Sequence, residues 1–543
     1  MDTKVDKLEK QEIIEVTDTT QCCSTRNVLW YLVFTGFAVN YLIRINLNIA
    51  LVSMVLPRPK TNVSFTSECF IQNLTIRNIS EDNTKLLNST PPSITSNVTF
   101  LSPFNTLVFE SRKFNWNEKQ QGSILGSFFW LHWVTQIPGG ILAGRYGTKI
   151  IFGLSNWSAA LLCFIIPWMA YRGPEWLIFV RILQGLFAGF CWPAMHNLTA
   201  SWIPPNERSK FVTSYLGSSV GVAITYPICG FVIDRWGWEV VFYSSGFTGT
   251  VWFAAWWLLI YDNPHEHPRI THNEREYIVN SLGQSVAKDK APVPWGAILT
   301  DRTVLMNIVA QVGGVWGFFT LMTNGPSYFK FIHGWNIRET GLLSGLPHLL
   351  RMGWAYVFSQ LGDYLLRSGK MSRPNVRKLA TAVCCIGQGF FMLGLAYSGC
   401  DRYRAIVFLT LAVAIHGAVS TGPLASIVDI SPNYAGVILG IINTIVASVG
   451  FLTPMVVGYL TYQNQTVVQW QKVFWIATLF LFVSGILYCT ISNSKLKSWN
   501  SPEGEQNSAE KEMKDMRKNK EEGTADEKGA MLRSAEKNGA TAT

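Results

Sequence analysis

Charge is scarce in this chain of 543 residues: Asp, Glu, Lys and Arg together make up 15% of it, against about a quarter in a soluble globular protein. That shortage argues against a soluble enzyme. The ten cysteines show no metal-ligand spacing, so no metal centre is expected, and most fall inside apolar blocks (Cys163, Cys191, Cys229, Cys384, Cys385, Cys489), where small buried thiols are ordinary. No disulfide framework is implied. A Gly-rich phosphate loop of the Walker type is missing, which disfavours an ATP-driven pump, and no set of nucleophile, base and oxyanion donors can be assembled, which disfavours an enzyme. No cofactor is called for. The polar N-terminal stretch runs into an apolar block far longer than the roughly 7–15 residues of a cleaved signal, so the N-terminus is expected to stay attached.

What the chain has in quantity is hydrophobic and aromatic residues, 48% and 13%, gathered in blocks of about 20 or more, enough to cross ~30 Å of hydrocarbon. Spans are expected near 28–56, 120–143, 149–170, 175–198, 211–234, 239–261, 303–329, 339–362, 377–398, 403–428, 434–460 and 470–493. The expected fold is an all-α polytopic membrane protein of twelve helices in two six-helix bundles, 28–261 and 303–493. A polar, Pro-rich central loop over 262–302 joins them. Residues 1–27 form an N-terminal tail, and 494–543, rich in Lys, Glu, Asn and Ala, read as a disordered tail.

The net charge of +10 sits in short connections and tails rather than on one amphipathic face, so it signals topology and not nucleic acid. Arg145, Lys149, Arg208, Lys210, the central loop and the cluster Arg367, Lys370, Arg373, Arg377 and Lys378 share the side of the N-terminus, which makes both termini cytosolic by the positive-inside rule. Loop 57–118 lies on the opposite side with sequons at Asn62, Asn73, Asn78, Asn88 and Asn97, and Asn464 adds a sixth. Two independent signals therefore agree on orientation.

The two halves carry a faint echo. Gly139-Gly140-Ile-Leu-Ala-Gly144-Arg145-Tyr-Gly147-Thr-Lys149 follows span 2, and Gly362-Asp363-Tyr-Leu-Leu-Arg367-Ser-Gly369-Lys370 follows span 8. Repeats of this kind place a substrate site at their interface near the midplane. The pairs Gly140/Gly144, Gly185/Gly189, Gly217/Gly221, Gly313/Gly317 and Gly436/Gly440 read as close helix approaches.

Ionisable residues at mid-depth cost at least ~2.5 kcal/mol and call for a partner or a function. Arg44 in span 1, beside Asn40, Asn46 and Asn48, Arg181 in span 4 and Arg351 in span 8 qualify, with His132, His196, His348 and His416. Arginine cannot shed its charge and presents a fork that matches carboxylate or phosphate. The carboxylates Asp234, Glu239, Glu339, Asp363 and Asp429 all fall at span ends, so three mid-depth arginines imply an anionic substrate. The alternative for each arginine is that it binds helix carbonyls or snorkels; the lone histidines read more simply as packing.

Arg44-Ile-Asn-Leu-Asn-Ile-Ala-Leu-Val-Ser-Met-Val, Gly126-Ser-Phe-Phe-Trp130, Thr135-Gln-Ile-Pro-Gly-Gly140, Arg181-Ile-Leu-Gln-Gly185, Pro193-Ala-Met-His196, Pro204-Pro-Asn-Glu-Arg-Ser-Lys210, Leu346-Pro-His-Leu349 and Asp429-Ile-Ser-Pro-Asn-Tyr-Ala-Gly436 resemble, in order and spacing, the organic anion/phosphate cotransporter family of the major facilitator superfamily, which includes sialin, the vesicular glutamate transporters and the sodium–phosphate cotransporters. The resemblance implies alternating access around a central anion cavity, with Arg44 and Arg181 on the substrate, and with His196 in the network that couples transport to protons or to the conformational change. Arg145 and Asp363, at the echoed turns, join it as coupling or gating candidates. The chain also departs from the family. Ala188 stands where sialin-like and glutamate-carrying members have a Glu tied to proton coupling, Leu125 and Gly314 replace a His and an Arg of the glutamate carriers, Gly144 replaces the superfamily's loop Asp, and Ser426-Ile-Val428 replaces Asn-His-Leu. Arg351 is outside the family pattern and is a candidate to supply the charge that Gly314 lacks.

The expected function is secondary-active transport of small anions, organic carboxylates or inorganic phosphate, coupled to sodium or protons, by a monomer in the lipid bilayer. An anion channel and a transport-inactive receptor or scaffold on the same fold are the alternatives. Plasma membrane and endolysosomal or vesicle membranes both stay open as locations.

Overall fold

In the computed structural model, residues 24–56, 68–69, 113–204, 207, 211, 213–283 and 293–500 are described. The chain is almost entirely helical there, with twelve membrane spans. In the first half, span 1 is Thr25–Met54, span 2 joins Glu118–Gly126 to Gln136–Tyr146, span 3 is Thr148–Arg172, span 4 joins Pro174–Ala188 to Cys191–Trp202, span 5 runs through Thr213–Leu216 and Gly217–Trp236, and span 6 is Trp238–Leu259. In the second half, span 7 is Arg302–Phe331, span 8 is Ile337–Arg367, span 9 joins Arg373–Ala382 to Gln388–Ala396 through a π-helical turn, span 10 joins Arg402–Ile415 to Pro423–Ile430, span 11 is Ala435–Leu460 and span 12 is Val467–Ile491. Nine of these are long and apolar enough to cross a membrane on length and composition alone; the exceptions are the interrupted span 2, the Trp-rich span 6 and span 8, which carries His348 and Arg351. Spans 2, 4 and 10 are not the unbroken rods that hydropathy suggests.

Local chemistry sets the boundaries. Asp301 accepts from the backbone N–H groups of Thr303 and Val304 at the start of span 7, Asn336 from Glu339 at span 8, and Asn117 and Gln120 form a reciprocal capping box on span 2. Gly147 and Gly237 make the tight turns into spans 3 and 6 at φ of 91° and 94°, where a Cβ is strained. At Gly147 one would also strike the Asp262 carboxylate, which accepts from the Lys149 N–H.

Span 1 packs on spans 5 and 6, span 3 on spans 4 and 6, span 7 on spans 11 and 12, and span 8 on span 10. The halves meet along span 5 against span 8 and span 2 against span 11. These contacts are tightest away from the termini, on what is here termed the loop face. Gly122 and Gly458 lie against the backbone of Pro454 and Glu118, Gly341 and Gly345 against the carbonyls of Tyr226 and Ala223, and Asp234 accepts from Arg338 at 2.7 Å. Toward the opposite face, which carries both ends of the described chain, a Cβ on Gly436 or Gly440 would meet nothing within 4 Å. The pair Gly436/Gly440 is thus not a close approach, whereas Gly185, Gly189, Gly217 and Gly221 sit directly on neighbouring backbones.

Two expectations are corrected here. A disulfide joins Cys69 of the first loop to Cys400 between spans 9 and 10, although the cysteine spacing gave no hint of one; beside it, Cys69 donates its N–H to Ile332 O. Residues 494–500, read as the start of a disordered tail, are docked: Lys497 pairs with Asp301 at 2.9 Å, and Asn500 binds Ser431 and Asn433. Trp499 adds an apolar anchor, packed against the cluster of Tyr434, Ile438 and Ile442. The rest of that tail, residues 1–23 and the sequons Asn62, Asn73, Asn78, Asn88 and Asn97 lie outside the described residues.

Candidate functional site

Arg44 lies past the middle of span 1 and is 8% exposed. Its guanidinium carbon sits 4.5 Å from the ring centroid of Phe129, 4.9 Å from Tyr41, 5.3 Å from Phe319 and 5.8 Å from Phe128. This box is drawn from both halves, because Phe319 belongs to span 7. Its rings attract the cation through their faces but cannot neutralise it. The buried Nε has no hydrogen-bond partner, and among the described residues no carboxylate pairs with Arg44. The asparagines around it serve packing: Asn40 donates to Asn156, Asn46 to Ser245 and Asn48 to Tyr226, tying span 1 to spans 3, 6 and 5.

Arg181, expected on the substrate, is placed differently. It is 1% exposed, and its fork donates to the carbonyls of Ile43 at 3.3 Å and Arg44 at 2.9 Å and to Gln184 Oε1 at 2.9 Å. Gln184 in turn donates to Ala159 O. The carbonyl-binding alternative describes this geometry: Arg181 grips the backbone of span 1 at the residue whose side chain enters the aromatic box. The sequence could not reveal this, since backbone carbonyls leave no mark in residue types.

Arg351 stands near the middle of span 8 with its guanidinium carbon 4.5 Å from the Phe318 centroid. Its Nε donates to His416 Nδ1 at 3.3 Å, and its Nη1 to Ser219 Oγ of span 5 at 3.2 Å. His416 stacks on Phe318 at 4.8 Å. These partners were not expected from the sequence. The sole hint was that His416 and Arg351 are both ionisable at mid-depth.

His132 is held as a structural ring, with Nδ1 3.1 Å from Gly185 O and Nε2 3.2 Å from Gln136 Nε2. Facing a carbonyl and an amide NH2, it is fixed as the neutral tautomer protonated at Nδ1. His196 falls on the helix Cys191–Trp202, but its side chain lies outside the described residues. Arg145 and Asp363 are exposed at the face that carries the chain ends. The Arg145 guanidinium lies over Tyr146, so the structure does not bring these two residues to the midplane groups. Ala188, at the position of the family's Glu, is buried and adds no titrating group. Asn464 accepts from Thr466 in the turn before span 12, on the loop face.

Four of the arginines at or near span ends are paired with carboxylates: Arg26 with Glu207 and Glu274, Arg338 with Asp234, Arg377 with Asp429 and Arg404 with Asp401. Arg44 and Arg351 at mid-depth rest on rings with no anion of the protein among the described residues, an arrangement able to receive an anion supplied from outside.

Comparison with known proteins agrees with this architecture. Residues 93–454 match the sequence model of the Major Facilitator Superfamily. The chain is 35% identical to sialin of Homo sapiens over 479 residues, 88% of this chain and 91% of that protein. It is 37% identical to vesicular glutamate transporter 2 of Homo sapiens over 405 residues, 73% and 69% of the two chains. In fold it resembles a bacterial homolog of the human lysosomal transporter Spinster in an inward-facing, unoccupied conformation, with a TM-score of 0.59 at 13% identity over 87% of this chain and 97% of that one. It also resembles a D-xylose–proton symporter, with a TM-score of 0.54 at 12% identity over 86% and 100%.

Proposed function

The chain belongs to the major facilitator superfamily, and within it to the family of sialin and the vesicular glutamate transporters; on that premise we propose that this multi-pass membrane transporter carries small anions by rocking its two halves around Arg44. The observation that carries this reading is the Arg44 box, a buried guanidinium set between the halves with aromatic walls and no carboxylate among the described residues. A permanent counter-ion would stabilise the empty site; its absence leaves the charge to be matched by the passing substrate. The names of the relatives, sialin and vesicular glutamate transporter, support an organic anion as the cargo.

Alternating access follows from the packing. The loop face is closed by the glycine contacts of spans 2 and 11 and of spans 5 and 8, whereas near the opposite face a Cβ on Gly436 or Gly440 of span 11 would meet nothing within 4 Å. If the face carrying the chain ends is cytosolic, this is an inward-open state. The disulfide on the loop face supports that orientation, because such bonds persist in oxidising compartments. Asn62, Asn73, Asn78, Asn88, Asn97 and Asn464 are then on the glycosylated side. The membrane is an endolysosomal, vesicle or plasma membrane, the vesicular relatives favouring the first two. One chain builds both halves and the site, so a monomer suffices.

Coupling to sodium or protons completes the proposal. Uptake by proteoliposomes of a panel of organic acids and phosphate, under separately imposed sodium, proton and voltage gradients, tests it. Saturable accumulation driven by one gradient supports the reading. Non-saturable flux that only follows the voltage indicates a channel, and no flux of any anion points to a transport-inactive receptor.

A further inference from the structure

At the turn between spans 5 and 6, on the loop face, lies a cavity of about 230 Å³ beside the end of span 1. That is room for a small polar group rather than a drug-sized ligand. Arg235 and Trp236 close span 5, Gly237 turns the chain, and Trp238 and Glu239 begin span 6; all of them line the cavity. Lys113 is brought in from the first loop. Phe114 donates its N–H to Met54 O and accepts from the Leu56 N–H, which lays that loop along the end of span 1 and sets Lys113 across the cavity with Ser53. The Phe114 ring then packs on Trp238, with centroids 5.8 Å apart. None of these residues belongs to the Arg44 box.

The lining carries both signs. Lys113 and Arg235 pair with no carboxylate among the described residues, and no side chain caps the first backbone N–H groups of span 6, so this wall suits an anion. Glu239 supplies the other sign. One of its oxygens accepts from the Tyr171 hydroxyl at 2.8 Å, while Oε2 is buried without a partner. Trp238 is 3% exposed, and its indole N–H is also unpartnered. A buried acceptor and a buried donor left unmatched on consecutive residues cost free energy that a ligand with the complementary groups recovers. Trp236 is exposed, as are Trp168 and Tyr171 at the end of span 3, the aromatic pattern of a membrane–water interface.

We propose that this cavity binds the phosphate and primary ammonium of a phosphoethanolamine group, with the phosphate on Lys113, Arg235 and the start of span 6 and the ammonium on Glu239. The interfacial depth suits the headgroup of a lipid in the leaflet on the loop face, and free phosphoethanolamine offers the same chemistry. A choline headgroup keeps the charge but has no N–H to donate to Glu239, and a glycerol headgroup has no cation. The ligand touches only elements of the first half, so it braces that half without bridging to the other. The site stands whether or not Arg44 carries the substrate.

Thermal unfolding of the purified full chain in detergent tests the proposal, titrated with phosphatidylethanolamine, phosphatidylcholine and phosphatidylglycerol of matched acyl chains and, separately, with free phosphoethanolamine. The ethanolamine lipid is expected to raise the wild-type midpoint at a concentration at least about tenfold below the other two lipids, the added contact being a charge-assisted one. Glu239→Gln keeps an acceptor for Tyr171 but puts an NH2 in place of the free carboxylate oxygen, and is expected to erase the preference. A shift produced by free phosphoethanolamine as well supports the site and identifies a soluble ligand; a shift produced by the lipid alone supports it and identifies a headgroup. Equal action of the three lipids with no response to free phosphoethanolamine, or a preference that survives Glu239→Gln, overturns the site. If Glu239→Gln does not fold, Lys113→Gln in the loop takes its place, and an undiminished response to the ethanolamine group in it overturns the proposal as well.

Discussion

Phe318 and Phe319 are consecutive residues of span 7, and each lies under a different arginine, Arg351 at 4.5 Å and Arg44 at 5.3 Å from guanidinium carbon to ring centroid. Successive helix positions point about 100° apart, so one short stretch of span 7 divides the midplane into two cationic compartments. Phe319→Leu keeps most of the volume and removes the ring face. The expected result is a several-fold rise in the half-saturation concentration for anions, in line with about 0.5–2 kcal/mol for a cation–π contact, with folding intact. Unchanged affinity would leave Phe319 as packing alone.

Gly341 reports on the closed loop face. A Cβ there would stand 2.5 Å from Tyr226 O, and a backbone carbonyl cannot swing aside as a flexible side chain can. Gly341→Ala should push spans 5 and 8 apart and shift the population toward a state open on the loop face. A cysteine placed at Ala223 should then react faster with a membrane-impermeant maleimide added from that side. An unchanged labelling rate would mean that the interface absorbs the methyl group without opening.

The disulfide should act as one unit. Cys69→Ser, Cys400→Ser and the double variant are expected to lower the thermal midpoint by the same amount, a few degrees, since either change removes the whole bond. Reducing agent should bring wild-type protein to that value and leave the variants unmoved. Additive losses in the double variant would show the two cysteines acting separately.

Arg181 and Arg44 should fail in different ways. Arg181 holds the carbonyls of Ile43 and Arg44, so Arg181→Ala removes charge-assisted bonds, each worth about 1.5–3 kcal/mol, and leaves a cavity against span 1. The expected outcome is a lower thermal midpoint and less protein at the membrane, with Arg181→Lys recovering part of both. A stable Arg181→Ala protein with lost anion affinity would instead return Arg181 to the substrate.

These residues also show what can be read from a linear chain. Twelve spans are visible as apolar blocks because lipid demands a fixed length of helix, and Arg44 and Arg351 stand out because charge in such blocks is rare. The interruption of span 2 after Phe129 is hidden, since hydropathy does not register backbone geometry. Cys69 and Cys400, 331 residues apart, each sit alone in a loop with no spacing to join them. Arg351 meets His416 and Ser219 across 65 and 132 residues, the first a contact between two spans of the second half and the second one that exists only once the halves are assembled. The docking of Lys497, Trp499 and Asn500 is tertiary in the same sense, and one tryptophan at the head of a polar tail does not announce the cluster it packs on.

The account depends most on Arg44 as the group that recognises the anion. Counterflow uptake in proteoliposomes, comparing wild type with Arg44→Lys after both are shown to fold and to orient alike, tests it most directly. Lysine keeps the charge but not the flat fork that fits between the rings of Phe129 and Phe319. The account predicts transport reduced about tenfold or more, with an unaltered thermal midpoint in the absence of anions. Full transport by Arg44→Lys would reduce Arg44 to a generic positive charge, and full transport by Arg44→Ala would contradict the account.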